Sequence, residues 1–388
     1  MSKAEYKRLG DYISEVNVRN RDLKVTKLLG VSISKEFIPS IANTIGTDMS
    51  AYKIVERGQF AYGPVTSRNG DKVSIALLNG YNDAIISQAY TVFEVVDCKE
   101  LLPEYLMMWF RRSEFDRYAR FHSHGSAREI FDWDELCDVM LPIPSITRQR
   151  EIVSEYETLT NRIRLNNQMI QHLEATAQAL YRKTFVDNID KENLPEGWRM
   201  GTLGELCEIS SSRRIFESEY CHEGIPFYRG KEITQKKNGE PITDLIYISK
   251  ERYLELVGKY GKPSKGDILL TAVGTIGNSY MVQNEDFYFK DGNLVWLHNF
   301  SCVGVNNYIY QYLQNDFENI VEEIAIGSTQ KALTIQSLLK LDMLIPNDRI
   351  LKDFGDFFNT LFNKIQVHKQ ENEKLTELQS LLLAKMGQ

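Results

Sequence analysis

The sequence predicts an α+β protein in which one mixed α/β domain is written twice, with two long helices separating and following the copies and pairing as an antiparallel coiled coil. Three observations carry this prediction. The chain repeats itself at a fixed offset. Two segments almost free of glycine and proline bear a coiled-coil stripe, and the remaining stretches mix strand-like and helix-like patterns. At 388 residues the chain also exceeds one core, because single cores stop growing near ~250–300 residues.

The repeat comes first because it sets the domain organisation. Gly125-Ser126-Ala127-Arg128 recurs 202 residues later as Gly327-Ser328-Thr329-Gln330. The same offset carries Leu136 onto Leu338, Ile143-Pro144 onto Ile345-Pro346, Leu159 onto Leu361 and Leu180 onto Leu382. Upstream the register slips, as loops with insertions require. There Leu9-Gly10-Asp11 matches Leu203-Gly204-Glu205, and Arg57-Gly58-Gln59-Phe60 matches Lys265-Gly266-Asp267-Ile268. The divisions that follow are a first domain over 1–147, a helix over 148–186, a linker over 187–200, a second domain over 201–347 and a helix over 348–388.

In the first helix, Ile152, Leu159, Ile163, Asn166, Leu173 and Leu180 fall on a stripe with alternating spacings of three and four. In the second, Phe354, Leu361, Ile365, His368, Leu375 and Leu382 occupy the matched places. That 3.5-residue period is a coiled-coil seam. A stripe of this kind can also pack on the helix's own domain, but two matched ones in a single chain favour burial on each other. Antiparallel pairing follows because the 187–200 linker leads into a domain and carries no second rod. Asn166 and His368 stand mid-seam, where polar residues fix register more often than they bind metal.

The domains read as mixed α/β. Strand-like runs cover Ala89–Val96, Asp267–Ala272 and Asn293–Leu297, and helix-like stretches cover Pro103–Arg120 and Asn306–Ile324. Arg68-Asn69-Gly70-Asp71 and Lys237-Asn238-Gly239 are turn signals, and Val273-Gly274-Thr275-Ile276-Gly277 reads as a turn between strands.

Catalytic signatures are missing from the sequence. It has no GxxxxGK[ST] phosphate loop, no HExxH, and no Pro-Pro pair from which an amino-methyltransferase tetrad could be built. His122 and His124 lie among Arg117, Arg120 and Arg128, poor company for a metal cation. The expectation is therefore no catalytic residue, no metal and no cofactor bound by this chain. The five cysteines are odd in number, scattered and never in CxxC, which fits thiols of a reducing cytoplasm. No apolar run approaches the ~18 residues of a membrane span.

The net charge is −7, and neither domain is net basic, so any nucleic-acid contact must come from local patches. In the first half the candidates are Arg68, in its glycine turn, and Arg128. In the second they are Arg213, Arg214, Arg229, Lys231, Lys236, Gln330 and Lys331, interleaved with tyrosines. Arg128 and the Gln330-Lys331 pair sit in repeat-matched loops, and arginine on guanine or glutamine on adenine are standard base-edge contacts.

These residues resemble a known family over nearly the whole chain, the specificity subunit of type I restriction–modification systems. The resemblance rests on Leu194-Pro195-Glu196-Gly197-Trp198 leading to Leu203-Gly204-Glu205-Leu206, and on Lys265-Gly266-Asp267-Ile268-Leu269-Leu270 followed by Gly274-Thr275-Ile276-Gly277. The Gly327-Ser328-Thr329-Gln330 loop and the Ile345-Pro346 run into the last helix complete it. The first half departs from the pattern, lacking Pro-Glu-Gly-Trp and carrying Gly-Ser-Ala-Arg. The resemblance implies two target recognition domains held apart by antiparallel helices, in a subunit that is not an enzyme. It also implies double-stranded DNA and two methyltransferase subunits as partners, with S-adenosylmethionine used by those subunits, and restriction subunits that can be recruited. The competing reading is a DNA-independent protein scaffold built on the coiled coil, which expects no sequence-selective DNA binding.

Overall fold

A computed structural model describes residues 5–40, 46–67, 69–70, 72–125, 129–187, 189–240, 242, 244–315, 317, 321 and 332–387. The chain forms two compact units, Met1–Leu165 with Glu371–Gln388, and Asn166–Gln370. Each contains one copy of the repeat together with parts of both long helices, so the division falls inside the helices and not at the 187–200 linker.

In the first unit, β1 (Tyr6–Arg8) leads through a 3-10 turn at Leu9–Asp11 to β2 (Ile13–Val16). Then come β3 (Leu29–Val31), β4 (Phe37–Pro39), β5 (Lys53–Glu56), β6 (Phe60–Gly63), β7 (Ser74–Leu77), β8 (Asp83–Ile86) and β9 (Thr91–Val95). Helices α1 (Pro103–Phe110), α2 (Ser113–Phe121) and α3 (Trp133–Cys137) precede β10 (Met140–Pro142) and the long α4 (Ile146–Phe185). The central sheet is antiparallel in the order β2-β9-β6-β7, and β1 pairs with β10. Its core stacks Phe60 on Phe93, with ring centroids 4.8 Å apart, and sets Phe110 edge-on to both.

The second unit continues with β11 (Arg199–Thr202), α5 (Leu203–Leu206), β12 (Glu208–Ser210), β13 (Tyr220–Cys221), β14 (Ile225–Tyr228) and α6 (Gly230–Asn238). After these come β15 (Ile246–Ile248), α7 (Lys250–Tyr260), β16 (Ile268–Thr271), β17 (Ser279–Met281), β18 (Tyr288–Phe289) and β19 (Leu294–His298). Helices α8 (Val305–Asn315) and α9 (Ile335–Leu339), strand β20 (Asp342–Ile345) and α10 (Asp348–Lys385) complete it. The antiparallel sheet β12-β19-β16-β17 has the same strand order as its counterpart, and β11 pairs with β20 as β1 does with β10. The duplication is thus one of topology as well as sequence. Gly58 and Gly266, matched in the repeat, both take a positive φ (+89° and +91°) immediately before the matched strands β6 and β16.

Several expected elements differ in detail. The stretch 103–120 is two helices, because Arg112 turns extended and seats its guanidinium 4.2 Å from the Trp109 ring centroid. Lys237-Asn238-Gly239 ends α6: Gly239 takes the left-handed conformation (φ +70°) that caps a helix C-terminus. The linker is not passive at its end, since Trp198 packs on Phe185 and β11 begins at Arg199.

The long helices pair antiparallel within each unit. In the first, Arg162 makes a two-pronged bond to the Glu371 carboxylate (2.7 and 3.2 Å), and Gln379 donates to the Thr160 hydroxyl at 2.7 Å. In the second, His368 Nδ1 stands 3.1 Å from Asn166 Oδ1, and Phe185 meets Phe354 edge-on at 5.0 Å. The seam is therefore mixed. Asn166, Phe354, Leu361 and Ile365 are buried, while Ile152, Leu159, Ile163, Leu173, Leu180, His368, Leu375 and Leu382 are half-buried. Towards the domains the buried side chains become Val153 and Tyr156 at one end of α4, and Tyr181 and Phe185 at the other. These join the domain cores, as do the stripe residues Phe354 and Leu361, so part of the stripe serves a domain core.

Candidate nucleic-acid interface

The described residues that flank the repeat-matched positions are tied to a second loop in each unit. In the first, the segment after β6 is tied to the segment before α3. Val65 bridges Ile130, Thr66 N–H donates to Glu129 O at 3.0 Å, and Phe131 N–H donates to Pro64 O at 2.9 Å. The Thr66 hydroxyl, 1% exposed with its residue, reaches both Ser123 Oγ (2.9 Å) and Glu129 O (3.2 Å). The stem of the second loop is closed by reciprocal backbone bonds between His124 and Ile130, at 3.0 and 2.9 Å. Glu135 on α3 then grips that stem, accepting from His122 Nδ1 at 2.9 Å with His124 Nε2 at 3.5 Å, and Arg120 pairs with Glu129. Asp116 joins α2 to the first loop by accepting from Val73 N–H at 3.1 Å. It also pairs with the buried Lys35 at 2.8 Å, whose ammonium burial pushes below its ordinary range.

The second unit repeats the arrangement. Val273 bridges Ala332, and Leu333 N–H donates to Ala272 O at 2.9 Å. The 273–277 segment is the expected turn, with Gly274 and Gly277 at φ +80° and +92°, and Asn278 N–H closes it onto the Thr271 hydroxyl at 2.9 Å. Helix α6 lies alongside. Lys237 Nζ donates to Asn278 Oδ1 at 3.0 Å, and Asn278 Nδ2 donates to the Thr234 hydroxyl at 2.9 Å.

Arg68, Arg128, Gln330 and Lys331 lie outside the described residues, but the stems of the 68 and 128 loops are joined. The other nominated side chains part company. Arg213 lies 4.4 Å from the Tyr260 ring centroid, and the exposed Arg214 stands 3.7 Å from Asp291. Lys231 pairs with Asp244 at the surface, at 2.9 Å. Arg229 and Lys236 are half-buried and turn to acidic partners within the domain. Arg229 holds the fully buried Glu232 at 2.5 Å, and its hydrogen bonds and charge outweigh burial to keep that carboxyl below the usual range. Lys236 sits between the rings of Tyr228 and Tyr280 and pairs with Glu285 at 2.6 Å. Sequence reasoning missed Thr66, Glu135 and Asn278. Only the His-x-His spacing hinted at the clamp.

A cleft of ~730 Å³ in the second unit is lined by Tyr260, Asp267, Trp296 and His298. Ser210 Oγ lies 2.9 Å from His298 Nε2, but Glu208 is 4.0 Å from the other ring nitrogen, too far to orient it. Among the described residues no group of three His, Cys, Asp or Glu side chains is placed to hold a metal, and no helix is long and apolar enough to cross a membrane.

The model of the "Type I restriction modification DNA specificity domain" matches this chain twice, over residues 3–175 and 195–377. The chain belongs to that family. Both matches of the specificity domain span one copy of the repeat and reach into a long helix. A putative type I restriction enzyme specificity subunit of Haemophilus influenzae is 30% identical over 246 residues, which is 62% of this chain and 61% of that one. The HindI specificity subunit of the same organism is 21% identical over 89% of both chains. The crystal structure of the type I system S subunit from M. genitalium shares the fold, with a TM-score of 0.65, 14% identity, and coverage of 100% of this chain and 97% of that one.

Proposed function

We propose that this chain is the non-catalytic DNA specificity subunit of a type I restriction–modification complex and reads a bipartite target, one half-site per domain. The observation that carries the proposal is the paired-loop arrangement built twice on one topology, with Val65–Ile130 in the first unit and Val273–Ala332 in the second. Loops joined at their stems suit a short contact with a duplex, and duplicating them supplies two short contacts with unread base pairs between. Arg68 and Arg128 in the first domain, and Gln330 and Lys331 in the second, are the proposed base readers. Arg213, Arg214 and Lys231 are proposed phosphate contacts, since all three are exposed and the ion pairs of Arg214 and Lys231 exchange partners at little cost.

The double-stranded DNA is shared with two methyltransferase subunits docked on the paired helices, and S-adenosylmethionine belongs to those subunits. Such a complex can recruit restriction subunits, and the cytoplasm is where its DNA lies. Mapping adenine methylation across the host genome, with and without this gene, tests the reading. One bipartite motif should vanish on deletion. Exchanging residues 1–147 for those of a relative should rewrite one half of the motif and leave the other unaltered. A motif that survives deletion, or changes in both halves, would overturn it.

A further inference from the structure

Phe121, the last residue of α2, is 80% exposed at the stem of the first domain's loop pair. An isolated exposed phenylalanine is ordinary on a protein surface, but this one is held in an organised setting. Its ring lies edge-on to His122 at 5.2 Å, and His122 stacks on Tyr118 at 4.1 Å with 26° between the planes. The imidazole is fixed from the other side by Glu135, at 2.9 Å, the same carboxylate that holds the loop stem through His124. One helical turn earlier Arg117 is 70% exposed and, among the described residues, paired with Glu114, itself 48% exposed, at 3.6 Å, an arrangement that yields readily to a phosphate.

We infer that Phe121 is a base-stacking wedge of the first recognition domain, entering a base step of its half-site while Arg117 takes the adjacent phosphate. This rests on the specificity-subunit reading above. Apolar side chains that enter a base step unstack it and kink the duplex, which adds discrimination at steps that open easily without any base-edge hydrogen bond. The ladder Tyr118–His122–Glu135 suits that role because it fixes the ring direction before DNA arrives. Phe121 is thus a DNA-contacting residue, and His122 and Glu135 position it.

The test uses the full chain assembled with its methyltransferase subunits and duplexes carrying its methylated motif, with 2-aminopurine placed in turn at each step in and beside the first half-site. The unaltered complex should raise the fluorescence at one step. Phe121→Ala should abolish that rise and weaken binding roughly 5- to 150-fold, the range for loss of one base–aromatic stack. Phe121→Trp should restore both, and the second half-site should be read as before. Because the side chain is exposed, the alanine variant should keep the melting temperature of the parent. Unchanged affinity and fluorescence in Phe121→Ala would overturn the wedge. So would loss of subunit assembly in place of base unstacking, which would make Phe121 a protein contact. Failure of the unaltered complex to bind its motif selectively would instead overturn the underlying reading, and the wedge with it.

Discussion

Thr66 joins two loops through one hydroxyl that is closed off from solvent. Thr66→Val keeps the volume and removes both bonds, leaving the Ser123 hydroxyl with only its bond to Ala119 O and the Glu129 carbonyl with only the Thr66 N–H. It should cost about 1–3 kcal/mol in urea unfolding and relax the first half-site in methylation maps while sparing the second. Arg229 and Glu232 pose a different case, a half-buried guanidinium holding a fully buried carboxylate. Removing the cation alone, in Arg229→Met, should destabilise the chain by about 3–5 kcal/mol, whereas Arg229→Met with Glu232→Leu should recover most of that loss. The pair also carries a pH signature. The folded carboxyl is held below its unfolded value, so the native state binds fewer protons, and stability is present above the ordinary carboxylate range and lost as pH falls through the folded value. Denaturant midpoints of the parent should fall on acidification more than those of the double variant. The cationic clusters were legible in the sequence, but not which cations turn inward. Arg229 and Lys236 look like Arg213 and Lys231 in one dimension, and only packing sends them to Glu232 and Glu285.

The repeat stayed in register from the reading loop through the second half of each copy because α3, β10 and α4 are reproduced without insertion in α9, β20 and α10. It slipped upstream, where the second domain adds α6 and α7. Conserved placement does not mean conserved chemistry. Where α4 leaves the first domain, the buried Gln149 amide donates to Glu100 O and Pro144 O and accepts from Leu102 N–H. The equivalent place in the second domain, 202 residues on, holds Leu351, and there Gly304 and Gly355 bring loop and helix into backbone contact. A Cβ on Gly355 would lie 2.6 Å from the Gly304 Cα, and one on Gly304, at φ +91°, would run into the Leu351 carbonyl. Gly304→Ala should therefore destabilise the second unit by at least about 1–3 kcal/mol from backbone strain alone, measured by calorimetry. Asn166 and His368 are themselves 202 apart and touch, so the helices meet at repeat-equivalent residues. Replacing both with leucine should raise the melting temperature and loosen the register, as buried polar pairs trade stability for a single alignment. Cysteine pairs placed along α4 and α10 would then crosslink in more than one register, where the parent gives one.

At the scale of the whole molecule, the sequence announced the duplication, the helices and the family, because each is written in periods and matched motifs. It could not announce the pairing of loops at 65 and 130 or at 273 and 332, which strand order alone brings together. If each domain reads by itself and the two helices set the distance between the readings, lengthening the helices should move the half-sites apart without changing them. Inserting seven residues into both α4 and α10, beside Asn166 and His368, preserves the heptad register and adds about 10 Å of helix. Genome-wide adenine methylation mapping of that variant is the decisive measurement. Both half-site sequences should be unchanged while the unread spacer between them grows, by at most roughly three base pairs at ~3.4 Å each. Full methylation with the original spacer, or a change in either half-site, would contradict it.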